Sequence, residues 1–186
     1  MARKTSPVPK GYRTITPQLT VRFAAEAIDF YKTAFGAEEL SRAYGADGVT
    51  VINAELKIGN AIFRLNDEMP GYGLLSPLSL GGSHTAVHLY LPEVDDVWAR
   101  AVEAGATVIV PLADTYWGER FGKLVDPFGH VWSFAKRIEA LTPAEIAERA
   151  AQDIVAVEES FFAGYGAGYG DEIQLTETEV PAVGTA

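Results

Sequence analysis

The chain has 186 residues, no cysteine, a hydrophobic content of 48% and a net charge of −10. This length and apolar content suit one domain, or two small halves with a common core. The absence of thiols excludes disulfides, iron–sulfur clusters and thiolate zinc sites, and the acidity argues against nucleic acid, which attracts basic surfaces.

The acidic residues are concentrated at the C-terminal end. From Leu141 onward the chain carries nine acidic residues and one arginine, whereas residues 1–140 are nearly neutral. No stretch approaches the ~20 apolar residues that span a bilayer, and no apolar run typical of a signal peptide follows the basic N-terminus. We therefore expect a cytoplasmic protein with no membrane or nucleic-acid partner.

Two segments have the periodicity of amphipathic helices. Residues 24–35 place apolar side chains on one face, and Gly36 follows as a C-terminal stop. Residues 94–104 repeat this arrangement and are followed by Gly105. The similarity of the two helices and of the segments around them indicates an internal duplication.

Segments with the alternation of β-strands surround each helix. One such run precedes each helix, at 17–23 and 85–91, and others follow it. The simplest interpretation is two βαβββ modules about 69 residues apart, at about residues 12–70 and 84–137. Together they make a domain over residues 1–140.

A β-hairpin in the first half has a register that the sequence predicts. Gly59-Asn60 is a two-residue turn between strands 51–58 and 61–66. One face of the hairpin is then apolar, and the other pairs Lys57 with Ile62, Glu55 with Arg64 and Asn53 with Asn66. The second face either is exposed and carries an ordinary Glu55–Arg64 ion pair, or lines a wet cavity.

The C-terminal part begins with a helix-capping pattern. Thr142 and Glu145 have the spacing of a capping box, and Pro143 suits the first helical position. An apolar stripe follows at helical spacing. We therefore predict a C-terminal helix over residues 141–163 and a flexible acidic tail over 164–186.

The chain resembles the vicinal oxygen chelate superfamily, which includes glyoxalase I, bleomycin-resistance proteins and extradiol dioxygenases. It is most similar to the PhnB-like, glyoxalase-like branch. The resemblance covers about residues 10–147 and rests on these segments: TPQLTV (16–21), AIDFYKTAFGAEEL (27–40), NAELKIGNAIFRLNDEMP (53–70), HLYLPEVDDV (88–97), DTYWGERFGKLVDPFGHVWSFA (114–135) and LTPAEI (141–146). It implies an α+β fold in which two βαβββ modules form a cup-shaped, barrel-like mixed sheet, and a homodimer that binds a small molecule.

The resemblance also implies where a metal would bind. Metal enzymes of the superfamily take one ligand from the first and one from the last strand of each module. By alignment these positions fall on Thr16, Arg64, Ala86 and Ser133. None is a usual metal ligand, and an arginine adds a fixed positive charge. We therefore assign no metal ligand and predict no cofactor, because these positions do not support a divalent metal.

In the superfamily, the position of Arg64 lies on the cavity face, which favours the cavity interpretation of the hairpin. The candidate ligand-binding residues are Gln18, Asn53, Arg64, Asn66, Tyr90, Tyr116 and Trp117. Arg64 could clamp a carboxylate or phosphonate in a bidentate pair. Tyr116 and Trp117 could stack on a planar or apolar ligand, or pack at a dimer interface.

His88 is a candidate acid/base group because its ordinary pKa lies near neutrality. Together with Glu55 it could move protons on a carbonyl substrate, whereas a purely structural His88 would hydrogen-bond to a neighbouring strand.

The candidate residues and the resemblance support two alternative functions. The first is a metal-free binding or resistance-type protein with a polar, aromatic-edged cavity. The second is a lyase or isomerase of the glyoxalase kind that uses His88 and Glu55 as catalytic residues.

Overall fold

The computed structural model describes residues 6–151, which contain the βαβββ unit twice. The first unit consists of β1 (Gln18–Val21), α1 (Ala24–Phe35), β2 (Glu38–Tyr44), β3 (Val51–Ile58) and β4 (Ala61–Asp67). A 3₁₀ turn (Pro70–Tyr72) and the short helix α2 (Pro77–Leu80) connect it to the second unit. The second unit consists of β5 (Ala86–Tyr90), α3 (Val94–Glu103), β6 (Thr107–Asp114), β7 (Glu119–Val125) and β8 (Val131–Arg137). The predicted duplication and α+β class are confirmed.

Each unit forms its own four-stranded mixed sheet. The strand order is β1-β4-β3-β2 in the first sheet and β5-β8-β7-β6 in the second. In each sheet the first and last strands of the unit are parallel neighbours, and the other pairs are antiparallel. The strands of residues 6–151 do not close into a barrel within one chain.

The β3–β4 hairpin has the predicted register. Ile58 lies opposite Ala61, Leu56 opposite Phe63 and Glu55 opposite Arg64. Gly59 in the turn has φ +56°, a conformation that glycine adopts without the steric penalty of a side chain. The alternation of side chains therefore separates an apolar face from a polar one, as expected.

Helix α1 has the predicted bounds and ends at Gly36, whose φ is +67°. A distant strand caps its N-terminus: Asp67, at the end of β4, accepts the backbone N–H of Ala24 at 2.8 Å. The second oxygen of Asp67 accepts the N–H of Val51, also at 2.8 Å. The preceding residue, Phe23, provides no side-chain cap. Asp67 takes this role instead and connects the start of α1 to β3 and β4.

A single core joins the two units, and the buried Asp126 lies at their junction. Its carboxylate accepts hydrogen bonds from the Tyr31 hydroxyl at 2.7 Å and from the Trp132 indole at 2.8 Å. It also accepts the backbone N–H groups of Phe128 and His130, both at 2.9 Å. Because Tyr31 belongs to α1 and the other partners to the second unit, Asp126 connects the two units directly.

The helix after β8, α4, is described over residues 143–151. Its capping box is confirmed: Glu145 accepts the Thr142 N–H at 2.7 Å, and the Thr142 hydroxyl accepts the Glu145 N–H at 3.3 Å. The rest of the helix predicted to residue 163 and the tail predicted over 164–186 lie outside the described residues. Within residues 6–151, no helix is long and apolar enough to cross a membrane.

Candidate functional site

Each sheet packs one face against the common core and turns the other, here called its outer face, away from it. On β3 and β4 the core side includes Leu56 and Leu65, which are fully buried. The outer face of the first sheet carries Asn53, Glu55 and Arg64, all half-buried. These polar side chains were the ones predicted to line a cavity.

The Arg64 guanidinium hydrogen-bonds to a side-chain amide and not to a carboxylate. Its Nε donates to the Asn53 Oδ1 at 2.9 Å, and its Nη2 donates to the same oxygen. Glu55 is directly opposite Arg64 in the register, yet it forms no ion pair with it. The ordinary cross-strand ion pair, one of the two interpretations of this face, is therefore wrong. The physical reason is that the Arg64 guanidinium donates to Asn53 instead.

Gln18 and Asn66 form an amide pair beside this arginine. The Gln18 Nε2 donates to the Asn66 Oδ1 at 3.0 Å, and the Asn66 Nδ2 donates to the Asp67 carbonyl at 2.8 Å. Asn66 is only 1% exposed. The amide of Asn66 thus contributes mainly to the sheet structure, whereas Gln18 is exposed.

The outer face of the second sheet is aromatic. The His88 and Tyr90 rings lie edge to face with centroids 4.7 Å apart, and Trp117 lies in the same geometry at 4.9 Å from Tyr116 and 5.6 Å from Phe121. Tyr90 is 63% exposed. This face therefore offers aromatic surface to a ligand or to another protein chain.

Glu119 organises this aromatic face, although sequence reasoning missed it. Its carboxylate accepts a hydrogen bond from the Tyr90 hydroxyl at 2.6 Å and from the Trp117 indole at 2.9 Å. The bond to Glu119 raises the pKa of the Tyr90 hydroxyl, and burial adds to the shift. The alternation along β7 was the available signal, because Glu119 and Phe121 are two residues apart and so share a face.

His88 hydrogen-bonds to the neighbouring strand. Its Nδ1 lies 2.8 Å from the Ser133 Oγ, and the two residues are direct partners in the β5–β8 register. In the first sheet the equivalent partners are Gln18 and Arg64. The residues beside Arg64 and Ser133 are thus Gln18 and His88, and not Thr16 and Ala86 as the alignment implied. Thr16 precedes β1, and its hydroxyl donates to the Arg13 carbonyl at 3.1 Å.

These four positions do not fit a divalent cation. Gln18, Arg64, His88 and Ser133 provide one imidazole, an amide, a hydroxyl and a permanently charged guanidinium, whereas such cations favour imidazole and carboxylate ligands. Within residues 6–151, no three His, Cys, Asp or Glu side chains converge. The chemistry of the available donors therefore disagrees with the metal centre of the superfamily's metal enzymes.

The polar groups and the aromatic groups lie on different sheets. Glu55 and Arg64 lie on the outer face of the first sheet, whereas His88 and Trp117 lie on that of the second. Both sheets bury their apolar faces in the same core. Their outer faces consequently turn away from that core.

A shallow pocket of about 310 Å³ lies elsewhere, at the junction of α2 and the turn before β8. It is lined by Pro77, Leu78, Gly81, Gly82, Val125, Asp126 and Gly129, and by none of the predicted ligand-binding residues. A Cβ at Gly129 would lie 2.9 Å from the Pro77 Cβ, so α2 packs closely against this turn. The pocket is therefore a gap between closely packed segments beside Asp126.

Comparison with known families gives a match over most of the described residues. The model of the Glyoxalase/Bleomycin resistance protein/Dioxygenase superfamily matches residues 14–134. An uncharacterized protein of Mycobacterium bovis is 44% identical over 135 residues, which cover 71% of this chain and 88% of the relative.

Several solved structures have a similar fold. The crystal structure of a gene product from Arabidopsis thaliana is 30% identical with a TM-score of 0.54, covering 67% of this chain and 98% of that one. A PhnB protein from Bacillus cereus, titled a putative 3-demethylubiquinone-9 3-methyltransferase, has a TM-score of 0.51 at 24% identity, with 67% and 99% covered. A bleomycin resistance determinant encoded on the transposon Tn5 has a TM-score of 0.50 at 20% identity, with 67% and 98% covered. At these lower identities the likeness concerns the fold alone.

Proposed function

Because the chain belongs to the glyoxalase/bleomycin resistance/dioxygenase superfamily, we propose that it binds a small organic molecule through Arg64, without the superfamily's classical metal site. The observation that carries this proposal is the environment of Arg64. The guanidinium is half-buried on a polar face, is held by the neutral Asn53, and forms no ion pair with the described acidic residues. A cation oriented in this way suits an anionic group.

The proposed ligand class is a planar aromatic carboxylate. A guanidinium binds a carboxylate through two parallel hydrogen bonds, and exposed aromatic rings favour a planar apolar body. Gln18 and Asn53 would add polar contacts beside Arg64. Tyr90, Tyr116 and Trp117 would supply the aromatic surface.

A homodimer would bring these two sets of residues together. In one chain the two outer faces turn away from the common core, so neither encloses a ligand alone. A second copy can place the second sheet of one protomer opposite the first sheet of the other, as the resemblance to dimeric superfamily members implies. The ligand would then lie between Arg64 of one protomer and the partner's Trp117.

The test is calorimetric titration with benzoate, the simplest aromatic carboxylate. Replacing Arg64→Ala should weaken binding about tenfold or more, because hydrogen bonds to charged groups contribute about 1.5–3 kcal/mol. Lys57→Ala is the matched control, since it removes the same charge from the same strand pair, two residues from Glu55. Equal affinity in the Arg64→Ala variant and the wild type would refute the role of Arg64, and absence of binding by the wild type would refute the ligand class.

The alternative is a lyase or isomerase of the glyoxalase kind. One observation favours it: His88 is exposed and its Nδ1 is fixed by Ser133, which leaves Nε2 as the ring nitrogen able to reach a substrate. In this alternative Glu55, contributed by the other protomer, would be the second acid/base group. His88→Ala should then abolish turnover in a glyoxalase assay while the fold persists, and His84→Ala, at an exposed loop histidine, should not. Full activity in the His88→Ala variant would exclude this alternative.

A further inference from the structure

Lys123 lies on the aromatic outer face of the second sheet. Along β7 it alternates with Leu124, which is fully buried in the core, and it therefore shares the outer face with Phe121. Its ammonium group lies 5.9 Å from the centroid of the Phe121 ring. Lys123 is half-buried, and this contact with the ring keeps its charge close to the sheet.

The Phe121 ring is at the centre of a cluster on this face. The His88 ring stacks on it with centroids 6.2 Å apart and an interplanar angle of 23°, and the Trp117 ring lies edge to face at 5.6 Å. His88 is in turn hydrogen-bonded to Ser133, which is the direct β8 partner of Lys123. The ammonium group therefore borders an aromatic surface that is held by the neighbouring strands.

The charge of Lys123 is not neutralised within residues 6–151. Lys123 takes part in none of the ion pairs that these residues form. Glu119 is on the same face of β7, but it is four residues away, which is about 13 Å along a strand. The Glu119 carboxylate instead accepts hydrogen bonds from Tyr90 and Trp117. A half-buried cation with no acidic partner suits an anionic ligand.

The duplication places Lys123 in the same cross-strand row of its sheet as Arg64 occupies in the first sheet. The two rows consist of Gln18, Arg64 and Glu55 in the first sheet, and of His88, Ser133 and Lys123 in the second. Each row thus contains one cation that forms no ion pair with the described acidic residues. The cations are on different strands, β4 and β7, so two such faces brought together would present two separate positive charges.

We propose that Lys123 is a second anion-binding group of the ligand site and that the ligand is an aromatic dicarboxylate. The proposal rests on the proposed function and narrows its ligand class. One carboxylate would bind Arg64 of one protomer through two parallel hydrogen bonds, and the other would bind the compact charge of the partner's Lys123. The ring between the two carboxylates would lie against the partner's Trp117.

The test is calorimetric titration of the full chain with benzoate and with the ortho, meta and para benzenedicarboxylates. The wild type should bind at least one dicarboxylate about tenfold more tightly than benzoate, which is the effect of one hydrogen bond to a charged group. Lys123→Met removes the ammonium group and keeps an unbranched apolar side chain, and it should abolish this preference. Lys123→Arg keeps the positive charge and should retain the preference.

Lys136→Met is the matched control. Lys136 is an exposed lysine of the same sheet, and its alternation with the core residue Phe134 along β8 places it on the opposite face from Lys123. This variant loses the same charge and should keep the preference for the dicarboxylate. Loss of the preference in Lys136→Met would mean that net charge, and not the position of Lys123, determines it.

Each other outcome also decides the proposal. Equal affinity of the wild type for benzoate and all three dicarboxylates would overturn it, and so would a preference that persists in Lys123→Met. Equal weakening of benzoate and dicarboxylate binding in Lys123→Met would overturn it too, and would instead favour an ion pair with Glu55 of the other protomer. Failure of the proposed function is distinguished by Arg64→Ala binding benzoate as the wild type does, or by a wild type that binds none of the four compounds.

Sedimentation of the same variants provides a readout that needs no ligand. If Lys123 serves the ligand, Lys123→Met should dimerise as the wild type does. A dimer dissociation constant raised about tenfold or more by Lys123→Met, and equally by Glu55→Gln, would show that Lys123 pairs with the partner's Glu55. That result would overturn the proposal, because the ammonium group would then not be available to a carboxylate of the ligand.

Discussion

The two βαβββ units have the same strand order, but their outer faces differ in chemical character. The first face is polar, built from amides, a carboxylate and a guanidinium. The second is aromatic and exposed, with Tyr90 at 63%. The core-facing positions are apolar in both units, whereas the outer-facing positions differ. The core-facing residues therefore maintain the fold, and the outer-facing residues can differ without changing it.

The difference is sharpest at the paired positions on the first and last strands of each unit. Gln18 faces Arg64 in the first sheet, and His88 faces Ser133 in the second. The first pair carries a permanent positive charge, whereas the second consists of an imidazole and a hydroxyl. A ligand between two such faces would meet an anion-binding group on one side and aromatic rings on the other.

The largest loss of stability is expected from a substitution at Asp126, where the two units are joined. Asp126→Ala would remove four hydrogen bonds and leave the buried Trp132 indole and Tyr31 hydroxyl without their acceptor. We expect a loss of about 3–5 kcal/mol in the free energy of unfolding. Because the core is shared, urea denaturation should show both units unfolding together. Asp96→Ala, at an exposed position of α3, should change little.

A smaller change isolates the link between the units. Tyr31→Phe keeps the buried ring and removes only the hydroxyl that α1 donates to Asp126. Its expected cost is about 1–2 kcal/mol, measured by urea denaturation. Unchanged stability would mean that aromatic packing, and not this hydrogen bond, joins the units.

Acid should destabilise the first unit through Glu68, the residue that follows β4. Hydrogen bonds from Ser79 and Ser76, followed by the contact with Arg22, lower the pKa of the Glu68 carboxyl from 4.5 to about 2. A lowered pKa in the folded state means that the stabilisation is present above pH 4.5 and is lost as the pH falls towards 2. Thermal melts of Glu68→Gln should therefore show lower stability at neutral pH and a shallower fall across this window. Identical pH profiles for Glu68→Gln and the wild type would rule this out, and Glu26→Gln, at an exposed residue of α1, is the control.

The smallest loss of stability is expected from a substitution at the start of α4, which follows the second unit. Thr142→Ala removes the capping box of α4 and should cost about 1 kcal/mol locally. Hydrogen exchange of the first turn of α4 should increase while that of the sheets stays the same. Increased exchange in β7 or β8 would instead show that α4 supports the second sheet.

Much of this fold could be predicted from the sequence because its signals are local. The periodicity of residues 24–35 and the turn at Gly59-Asn60 depend on neighbouring residues only, so α1 and the hairpin register were predictable. The Asp67 cap on α1 was not, because a residue 43 positions away supplies it. Long-range hydrogen bonds of this kind leave no trace in local periodicity.

The candidate site was less predictable for the same reason. Alternation placed Asn53, Glu55 and Arg64 on one face correctly, but it could not tell that Arg64 binds Asn53 instead of Glu55. Nor does alternation within strands reveal that His88 and Glu55 lie on separate outer faces, since this follows from how the two sheets share a core.

The most direct test of a ligand site shared between two outer faces is subunit mixing. Arg64→Ala disables the first face and Trp117→Ala the second, so neither variant alone should bind benzoate well. Mixed dimers would contain one site with both wild-type faces, and random exchange of subunits should restore about one quarter of the wild-type sites. Recovery of benzoate binding on mixing is the result that we predict. Mixed samples that bind no better than the separate variants would contradict a site built from Arg64 of one protomer and the partner's Trp117.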